Sequence, residues 1–411
     1  MSVTGGGSGA ISELLEVPGA SRTVLEAIVP YAAPALIAWL GAKPEHFCEP
    51  RTARSMAMVG FQRAGTYAAE EAGDDKPGDA KADSAAWPVA GIGCTASLAS
   101  DRPKHGAHRA HIAAQTAAMT LTQSLELTKG QRSREEEERV VAALVLNAVA
   151  EVCGVDDRLD LGLLASERVE TTRTVAPSSW QDLLLGKTEA VRAMDAADAE
   201  QPASARPHVG LASSSHPTSS SSVASAAADP TSALRLPPSA LRCLVFPGAF
   251  HPLHDGHRHM AKLAGERLGM PVEFEISIAN VDKPPLDYTE MHARAQQFER
   301  GQALWFTRAP TFRQKSRIFP GATFIVGADT IVRIADPCYY DDDPRACEAG
   351  ISHIAAQGCR FLVFGRTTDA GFQTLSDLRL PESLRRICDE IPAEHFRHDV
   401  SSTELRRAGK R

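Results

Sequence analysis

The sequence lacks the features typical of membrane, secreted or nucleic-acid-binding proteins. Its formal net charge is −7, so no basic surplus favours a nucleic-acid or membrane-surface partner. No apolar run is long enough to span a bilayer. The start, MSVTGGGSGA, has neither the basic segment nor the apolar core of a secretory signal. We therefore expect a cytoplasmic protein with no membrane or nucleic-acid partner.

Closely spaced cysteine pairs are also missing. The eight cysteines are scattered and include no Cys-x-x-Cys pair. This argues against a disulfide framework and against a cysteine zinc site, and indicates reduced thiols. What is present is an ordinary globular composition, with 43% hydrophobic and 23% charged residues. A chain of 411 residues is long enough for two domains with cores of their own.

Composition divides the chain into four segments. Residues 195–239 are rich in Ser, Ala and Pro and hold almost no large apolar side chain. Such a segment cannot bury enough surface to offset its ordering entropy, so we predict a disordered linker. Residues 1–155 and 240–411 are predicted to be the two domains, with 156–194 as a helical or irregular extension. A polar stretch, 68–86, is predicted to be an exposed loop inside the first domain.

Both predicted domains have an α/β pattern. In the second, apolar strand-like segments alternate with helical ones, in the order LRCLVF, GHRHMAKLAGERLG, VEFEISI, YTEMHARAQQFERGQ, ATFIVGAD, PRACEAGISHIAAQG and RFLVFGR. This alternation predicts a parallel, Rossmann-like sheet with helices on both faces. In the first domain, residues 107–128 are predicted to form two strands. SREEEERVVAALVLNAVAEVCG is predicted to be a helix, because acidic residues fill its first turn.

Four histidines cluster where the first strand of the second domain meets its helix: His251, His254, His257 and His259 in FPGAFHPLHDGHRHM. In open α/β sheets, ligands bind beyond the carboxyl ends of the strands. The helix start offers free N–H groups to a phosphate, and His254 and His257, three residues apart, are expected to share a face. Zinc is disfavoured because no cysteine or second histidine pair stands at ligand spacing. His259 is interpreted as a solvated surface residue.

These residues resemble a known family. GAFHPLHDGHRHM is similar to the HxGH signature of the nucleotidyltransferase superfamily, closest to the nicotinamide and nicotinate mononucleotide adenylyltransferases. VSSTELRRAG resembles the family's SSTxxR motif, and FIVGAD resembles its third strand and following turn. The resemblance implies that His254 and His257 stabilise the α-phosphate during transfer. It implies a nucleotide-binding set of Gly248, Ala249, Phe250, Gly327, Asp329, Ser401, Ser402, Thr403 and Arg406.

The implied reaction is attack of an acceptor phosphate on the α-phosphate of ATP, with loss of pyrophosphate. Mg²⁺ would arrive with the nucleotide, and no metal site made by the protein is expected. Lys283 and Arg294 are candidates for phosphate or substrate contact, with a solvated side chain as the alternative for each. Ala249 and His251 depart from the family, which usually has Ser or Thr and often Asn there. The acceptor therefore stays open, with a pyridine mononucleotide favoured. The alternative functions are a cytidylyltransferase, a phosphopantetheine-type adenylyltransferase and a non-catalytic nucleotide sensor.

The first domain resembles the C-terminal domain of the competence/damage-inducible CinA family, a nicotinamide mononucleotide amidohydrolase in bacteria. MSVTGG places Ser2 at the position of the family's nucleophile, and Tyr31 is retained in YAAPAL. Leu36 stands where the family has the activating Lys, and a serine without a base is a weak nucleophile. The family's glycine loop corresponds to AGIGCT (Ala90–Thr95). We expect this domain to be degenerate, with this glycine-rich loop left as a phosphate-binding element. A homo-oligomer formed through it is left open.

Overall fold

The computed structural model describes residues 1–73, 88–101, 105–193, 243–279, 285–340, 342–368 and 371–396. The predicted linker lies outside these ranges, as do Lys283, Ser401, Ser402, Thr403 and Arg406. The described residues form a mixed α/β fold with two main sheets and one short hairpin. None of the helices in these ranges is both long and apolar enough to cross a membrane.

The first sheet has five strands in chain order. They are β1 (Ser2–Thr4), β2 (Gly91–Ser97), β3 (His108–Gln115), β4 (Met119–Leu127) and β5 (Val169–Val175). β1 pairs parallel with β2, and the other neighbours pair antiparallel. The helices around it are α1 (Gly9–Leu15), α2 (Ala33–Leu40), α3 (Pro50–Gly73) and α4 (Arg134–Val152). The two strands predicted within 107–128 and the predicted acidic-start helix are confirmed as β3, β4 and α4.

α4 begins where the sequence provides a cap. The Ser133 hydroxyl accepts from the Glu136 amide at 3.2 Å, and the Glu136 carboxylate accepts from the Ser133 amide at 2.7 Å. This reciprocal capping satisfies two amide groups that the helix start would leave open. Buried apolar residues along one side of α4 then pack into the core of the first sheet, among them Val141 and Val145.

α3 packs unusually close to β2 because glycines line the contact. A Cβ atom at Gly91 would lie 1.9 Å from the Ala57 carbonyl oxygen, and one at Gly93 would lie 2.2 Å from the Ala53 carbonyl oxygen. No side chain fits at either strand position, so the helix backbone rests directly on the strand. The segment AGIGCT, compared above with a family glycine loop, therefore lies mostly in strand β2.

The second sheet has seven strands in the order β14-β11-β10-β7-β8-β9-β6. The strands are β6 (Ala190–Arg192), β7 (Leu244–Pro247), β8 (Val272–Ser277), β9 (Ala303–Thr307), β10 (Thr323–Gly327), β11 (Arg360–Phe364) and β14 (Cys388–Ile391). All neighbours pair parallel except β6, which pairs antiparallel with β9. The remaining elements are the hairpin β12 (Arg366–Thr368) and β13 (Gly371–Gln373), with helices α5 (Ser178–Leu184), α6 (Asp255–Leu268), α7 (Tyr288–Ala295), α8 (Phe312–Ile318), α9 (Ala328–Ile334), α10 (Pro344–Ala356) and α11 (Glu382–Arg385).

Two segments differ from the sequence-based expectation. Residues 156–193, predicted as helical or irregular, contain strands β5 and β6 as well as α5. Each of these strands adds to the edge of a different sheet, so its partner lies far away in the sequence and local pattern does not reveal it. The predicted loop 68–86 begins later than expected, because α3 continues as a helix to Gly73.

The strand order of the second sheet creates a switch point beside β7. From β7 the chain proceeds outward through β8 and β9, then returns to place β10 on the other side of β7. Connections from β7 and β10 therefore leave the same edge of the sheet in opposite directions, which opens a crevice between them. The loop after β7 carries the histidine cluster, and the turn after β10 carries Gly327 and Asp329.

Candidate functional site

The two motif histidines lie at the start of α6. His254 is the N-cap residue, in extended backbone geometry, and His257 is the third residue of the helix. The Nδ1 atom of His257 accepts from the His254 amide at 3.3 Å. Since Nδ1 accepts, a neutral His257 carries its proton on Nε2, where it is a hydrogen-bond donor. The helix start and this N–H together form a donor set suited to an anion.

The two imidazoles are in contact. Their ring centroids are 3.7 Å apart, with 27° between the planes. His257 also meets the edges of two aromatic rings, Phe250 at 5.1 Å and Phe246 at 6.0 Å between centroids. The pKa of His257 is lowered to about 3, chiefly by burial and to a smaller extent by the neighbouring His254 and Arg366. His257 is therefore a neutral imidazole at pH 7, able to donate a hydrogen bond without adding a positive charge to the site.

Backbone geometry holds the loop between β7 and α6. Phe250 has φ of 41°, in the left-handed region that non-glycine residues rarely adopt. Its ring is buried against Phe246, Phe274 and Phe298. A Cβ atom at Gly248 would lie 2.6 Å from that ring, so glycine is needed there. The side chain of Phe250, predicted as part of the nucleotide site, thus anchors the loop in the core.

Gln297, which follows α7, clamps the same loop. Its Nε2 donates to the Phe250 carbonyl at 3.0 Å, and its Oε1 accepts from the Leu253 amide at 2.7 Å. Arg258 of α6 donates to the Gln297 carbonyl at 3.2 Å. The amide of Gln297 therefore satisfies two backbone groups just before His254. Sequence reasoning missed this residue, because nothing local in the sequence connects it with a loop more than forty positions earlier.

An arginine, Arg366, lies between the turn after β10 and the histidine pair. Gly327 is the N-cap of α9, and Asp329 lies in the first turn. Asp329 Oδ2 is 3.1 Å from Arg366 Nη1, and both side chains are partly exposed. Arg366 is close enough to His257 to lower its pKa. Sequence reasoning missed Arg366. The available signal was its position two residues after the buried strand β11, at the same edge of the sheet.

The other predicted residues are distributed as follows. Ala249 is exposed in the loop. Arg294 is buried and pairs with Glu290 at 3.4 Å, so the alternative of a solvated arginine is wrong. Lys283 and the SSTxxR residues lie outside the described ranges. The structure thus brings His254, His257 and Asp329 to one edge of the second sheet and adds Arg366 to them.

The predicted hydrolase residues of the first sheet do not form an open site. Ser2 is fully buried, and its hydroxyl makes no hydrogen bond to any described residue. Tyr31 is 68% exposed. The glycine-rich segment after β1, residues 5–9, is already occupied: Glu138 of α4 accepts from the amides of Gly7 at 2.9 Å and Gly9 at 3.3 Å. A carboxylate of the chain itself therefore takes up these amide donors, and the glycine loop expected to hold a phosphate, Ala90–Thr95, lies mostly in strand β2.

No group of three or more His, Cys, Asp or Glu side chains within the described ranges is placed to hold a metal ion. None of the eight cysteines, all of which lie within the described ranges, forms a disulfide bond. No protein-family model matches the chain, and a search of curated proteins finds no match either. The edge of the second sheet therefore has to be interpreted from its own chemistry.

Proposed function

We propose that the chain is a nucleotidyltransferase with a Rossmann-like transfer domain. It would transfer a nucleotidyl group from a nucleoside triphosphate, ATP by preference, to an acceptor phosphate, and release pyrophosphate. The acceptor that we favour is nicotinamide or nicotinate mononucleotide. The first sheet would belong to a second, CinA-like domain without hydrolase activity of its own.

One observation carries this proposal: a neutral histidine stacked on a second histidine at the start of α6, at the switch point of a parallel sheet. The second sheet's six parallel strands follow the order 3-2-1-4-5-6 of dinucleotide-binding folds. A phosphate at this crevice would meet the helix N–H groups, the Nε2–H of His257 and the guanidinium of Arg366. The sequence resemblance to the HxGH and SSTxxR motifs points to the same chemistry.

The proposed step is an in-line displacement. An oxygen of the acceptor phosphate forms a bond to the α-phosphorus of ATP, bound as its Mg²⁺ complex. The bond from that phosphorus to the bridging oxygen breaks, and pyrophosphate leaves with the electron pair. His254 and His257 would donate hydrogen bonds to the α-phosphate oxygens, whose charge is redistributed in the transition state. No covalent intermediate is needed, so no residue is assigned as a nucleophile.

The test is pyrophosphate release by the full chain with Mg²⁺. ATP and CTP would each be combined with nicotinamide mononucleotide, nicotinate mononucleotide, phosphopantetheine, phosphocholine and phosphoethanolamine. His257→Ala is the diagnostic variant. His259→Ala is its matched control, because His259 is an exposed histidine of the same helix. We expect release with one pair of substrates, lost in His257→Ala and retained in His259→Ala.

Absence of release across the panel would overturn the proposed reaction with these acceptors. If ATP still raised the melting temperature, the chain would instead bind nucleotide without transfer. Equal loss in the two histidine variants would show that the α6 start is not the reacting site.

A further inference from the structure

The long helix α3 of the first sheet presents a second face to the second sheet. Ala53 and Ala57 rest on β2, as described above, whereas Met58 and Phe61 join the hydrophobic cluster that contains Phe246 and Phe250. The spacing of Arg51, Arg54, Met58 and Phe61 places them on one side of the helix. This side carries two arginines toward α7 and the histidine loop.

Arg54 makes a buried connection to α7. Its Nε is 2.9 Å from Asp287 Oδ2 and its Nη2 is 3.0 Å from Glu290 Oε1, and all three side chains are largely buried. Burial acts to lower the pKa of Arg54, but the two carboxylates outweigh it and raise that pKa. Asp287 also caps α7 by accepting from the Glu290 amide at 2.9 Å. The arginine therefore holds the start of α7 in place and also compensates the charges of two buried carboxylates.

The first sheet holds the same helix start from a second direction. The hydroxyl of Tyr288, a fully buried residue, donates to the Ala117 carbonyl at 2.6 Å. The Tyr288 amide donates to the Thr120 hydroxyl at 3.1 Å. Since Gln297 follows the end of α7 and clamps the histidine loop, a continuous set of contacts runs from the first sheet to His254.

Arg51 reaches the histidine loop directly. Its Nη1 lies 3.4 Å from His251 Nε2, and a guanidinium can only donate, so the imidazole nitrogen accepts. Its Nε is 3.7 Å from Glu290 and its Nη1 is 3.8 Å from Glu45. His251 lies two positions before Leu253, whose amide is held by Gln297. Arg51 and Gln297 thus hold neighbouring parts of one loop from different sides.

We infer that Arg51 is a positioning residue of the transfer site, supplied by the first sheet's helix. It fixes His251 and with it the loop that presents His254 and His257. The role in transfer rests on the proposed function, whereas the contact with the loop does not. The first sheet is then part of the transfer site, even though its own predicted hydrolase residues are not assembled.

The structural test compares three variants by amide hydrogen exchange in the loop. Arg51→Met keeps the length of the side chain and removes the donors, and Arg51→Lys keeps a donor. Arg63→Met is the matched control, because Arg63 lies on α3 but pairs with Glu26, at 2.7 Å from its Nε. We expect exchange of the Leu253 amide to be about tenfold faster in Arg51→Met, since the loop opens locally, and near wild type in the other two.

The kinetic test uses the same variants in the pyrophosphate assay. We expect Arg51→Met to lower kcat by about tenfold or more with little change in the KM for ATP, because misplaced reacting groups slow the transfer step. Arg51→Lys should recover most of the rate. If Arg51→Met showed the same amide exchange and the same kcat as Arg63→Met, the inference would be overturned. If the wild-type protein showed no turnover, only the proposed reaction would be ruled out, because amide exchange tests the loop contact independently.

Discussion

The rings of His254 and His257 stack with centroids 3.7 Å apart, and the Nδ1 of His257 is bonded to the amide of His254. Two protonated imidazoles at this distance would repel each other strongly, so at most one of the two rings carries a positive charge near neutral pH. The burial of His257 determines which ring stays neutral. The site therefore offers the neutral imidazole of His257 as a donor beside the guanidinium of Arg366, rather than a dense cluster of positive charge.

The first prediction concerns the protonation of His257. With a pKa lowered to about 3, chiefly by burial, its ring should stay neutral from pH 8 down to pH 5. NMR titration of the ring proton, assigned by its loss in His257→Gln, should show no midpoint in that range. A midpoint anywhere between pH 5 and pH 8 would contradict the burial of His257.

The same shift has a consequence for stability. An unfolded histidine takes up a proton near pH 6.5, while folded His257 does so only near pH 3. Protonation thus favours the unfolded chain, and stability falls as the pH drops from about 6.5 toward 3. His257→Gln should reduce the loss of melting temperature between pH 7 and pH 5. An unchanged loss would show that other groups dominate acid sensitivity.

The second prediction concerns Arg366. Removal of its charge in Arg366→Met should weaken ATP binding by about tenfold, the factor that corresponds to one charge-assisted hydrogen bond. Titration calorimetry with Mg²⁺ and ATP measures this directly. The control is Arg360→Met, which breaks the equally exposed Arg360–Asp389 pair at the opposite end of β11. If both variants weakened ATP binding equally, Arg366 would not be part of the nucleotide site.

The third prediction concerns the buried ion pairs of Arg54. Arg54→Met leaves Asp287 and Glu290 buried without this partner, which should cost about 3–5 kcal/mol of unfolding free energy. Urea denaturation measures the loss. Arg386→Met serves as control, because it breaks a pair in which both side chains are more than two-thirds exposed, so little change is expected. A similar small change in Arg54→Met would mean that water compensates the two carboxylates.

The fourth prediction concerns Gly248. In Gly248→Ala the new methyl group would lie 2.6 Å from the buried Phe250 ring, so we expect about 1–3 kcal/mol of destabilisation. Gly65→Ala is a useful contrast, since Gly65 is inside α3 with open space around its Cβ position. There alanine should stabilise the protein by about 0.5–1 kcal/mol. Thermal unfolding of both variants should show shifts of opposite sign.

The sequence predicts local elements well where one physical signal dominates. The apolar segment before Gly248 and the helical spacing after His254 identify β7 and α6, because burial and periodicity are properties of neighbouring residues. The same argument placed His254 and His257 at a helix start. Asp329, in contrast, was identified only through the resemblance of FIVGAD to a known motif, not through periodicity.

The remaining features depend on residues that are far apart in the chain. Arg54 and Asp287 are 233 positions apart, and only the packing of α3 between the sheets brings them together. The order of the strands beside β7 likewise follows from crossovers that no local pattern specifies. Arg366 could have been found by asking which residue follows each buried strand. Gln297 could not, since an amide in a loop has no distinctive surroundings in the sequence.

Strand β6 has a practical consequence for any attempt to produce the second sheet alone. Residues 190–192 precede β7 in the sequence and are separated from it by residues 194–242. They nevertheless pair with the outer edge of β9, with Val191 opposite Phe306. A fragment that starts at residue 243 would expose that edge as a row of open N–H and C=O groups. Such an edge invites pairing between molecules, so the isolated fragment should aggregate, whereas a fragment that retains β6 should be spared that route.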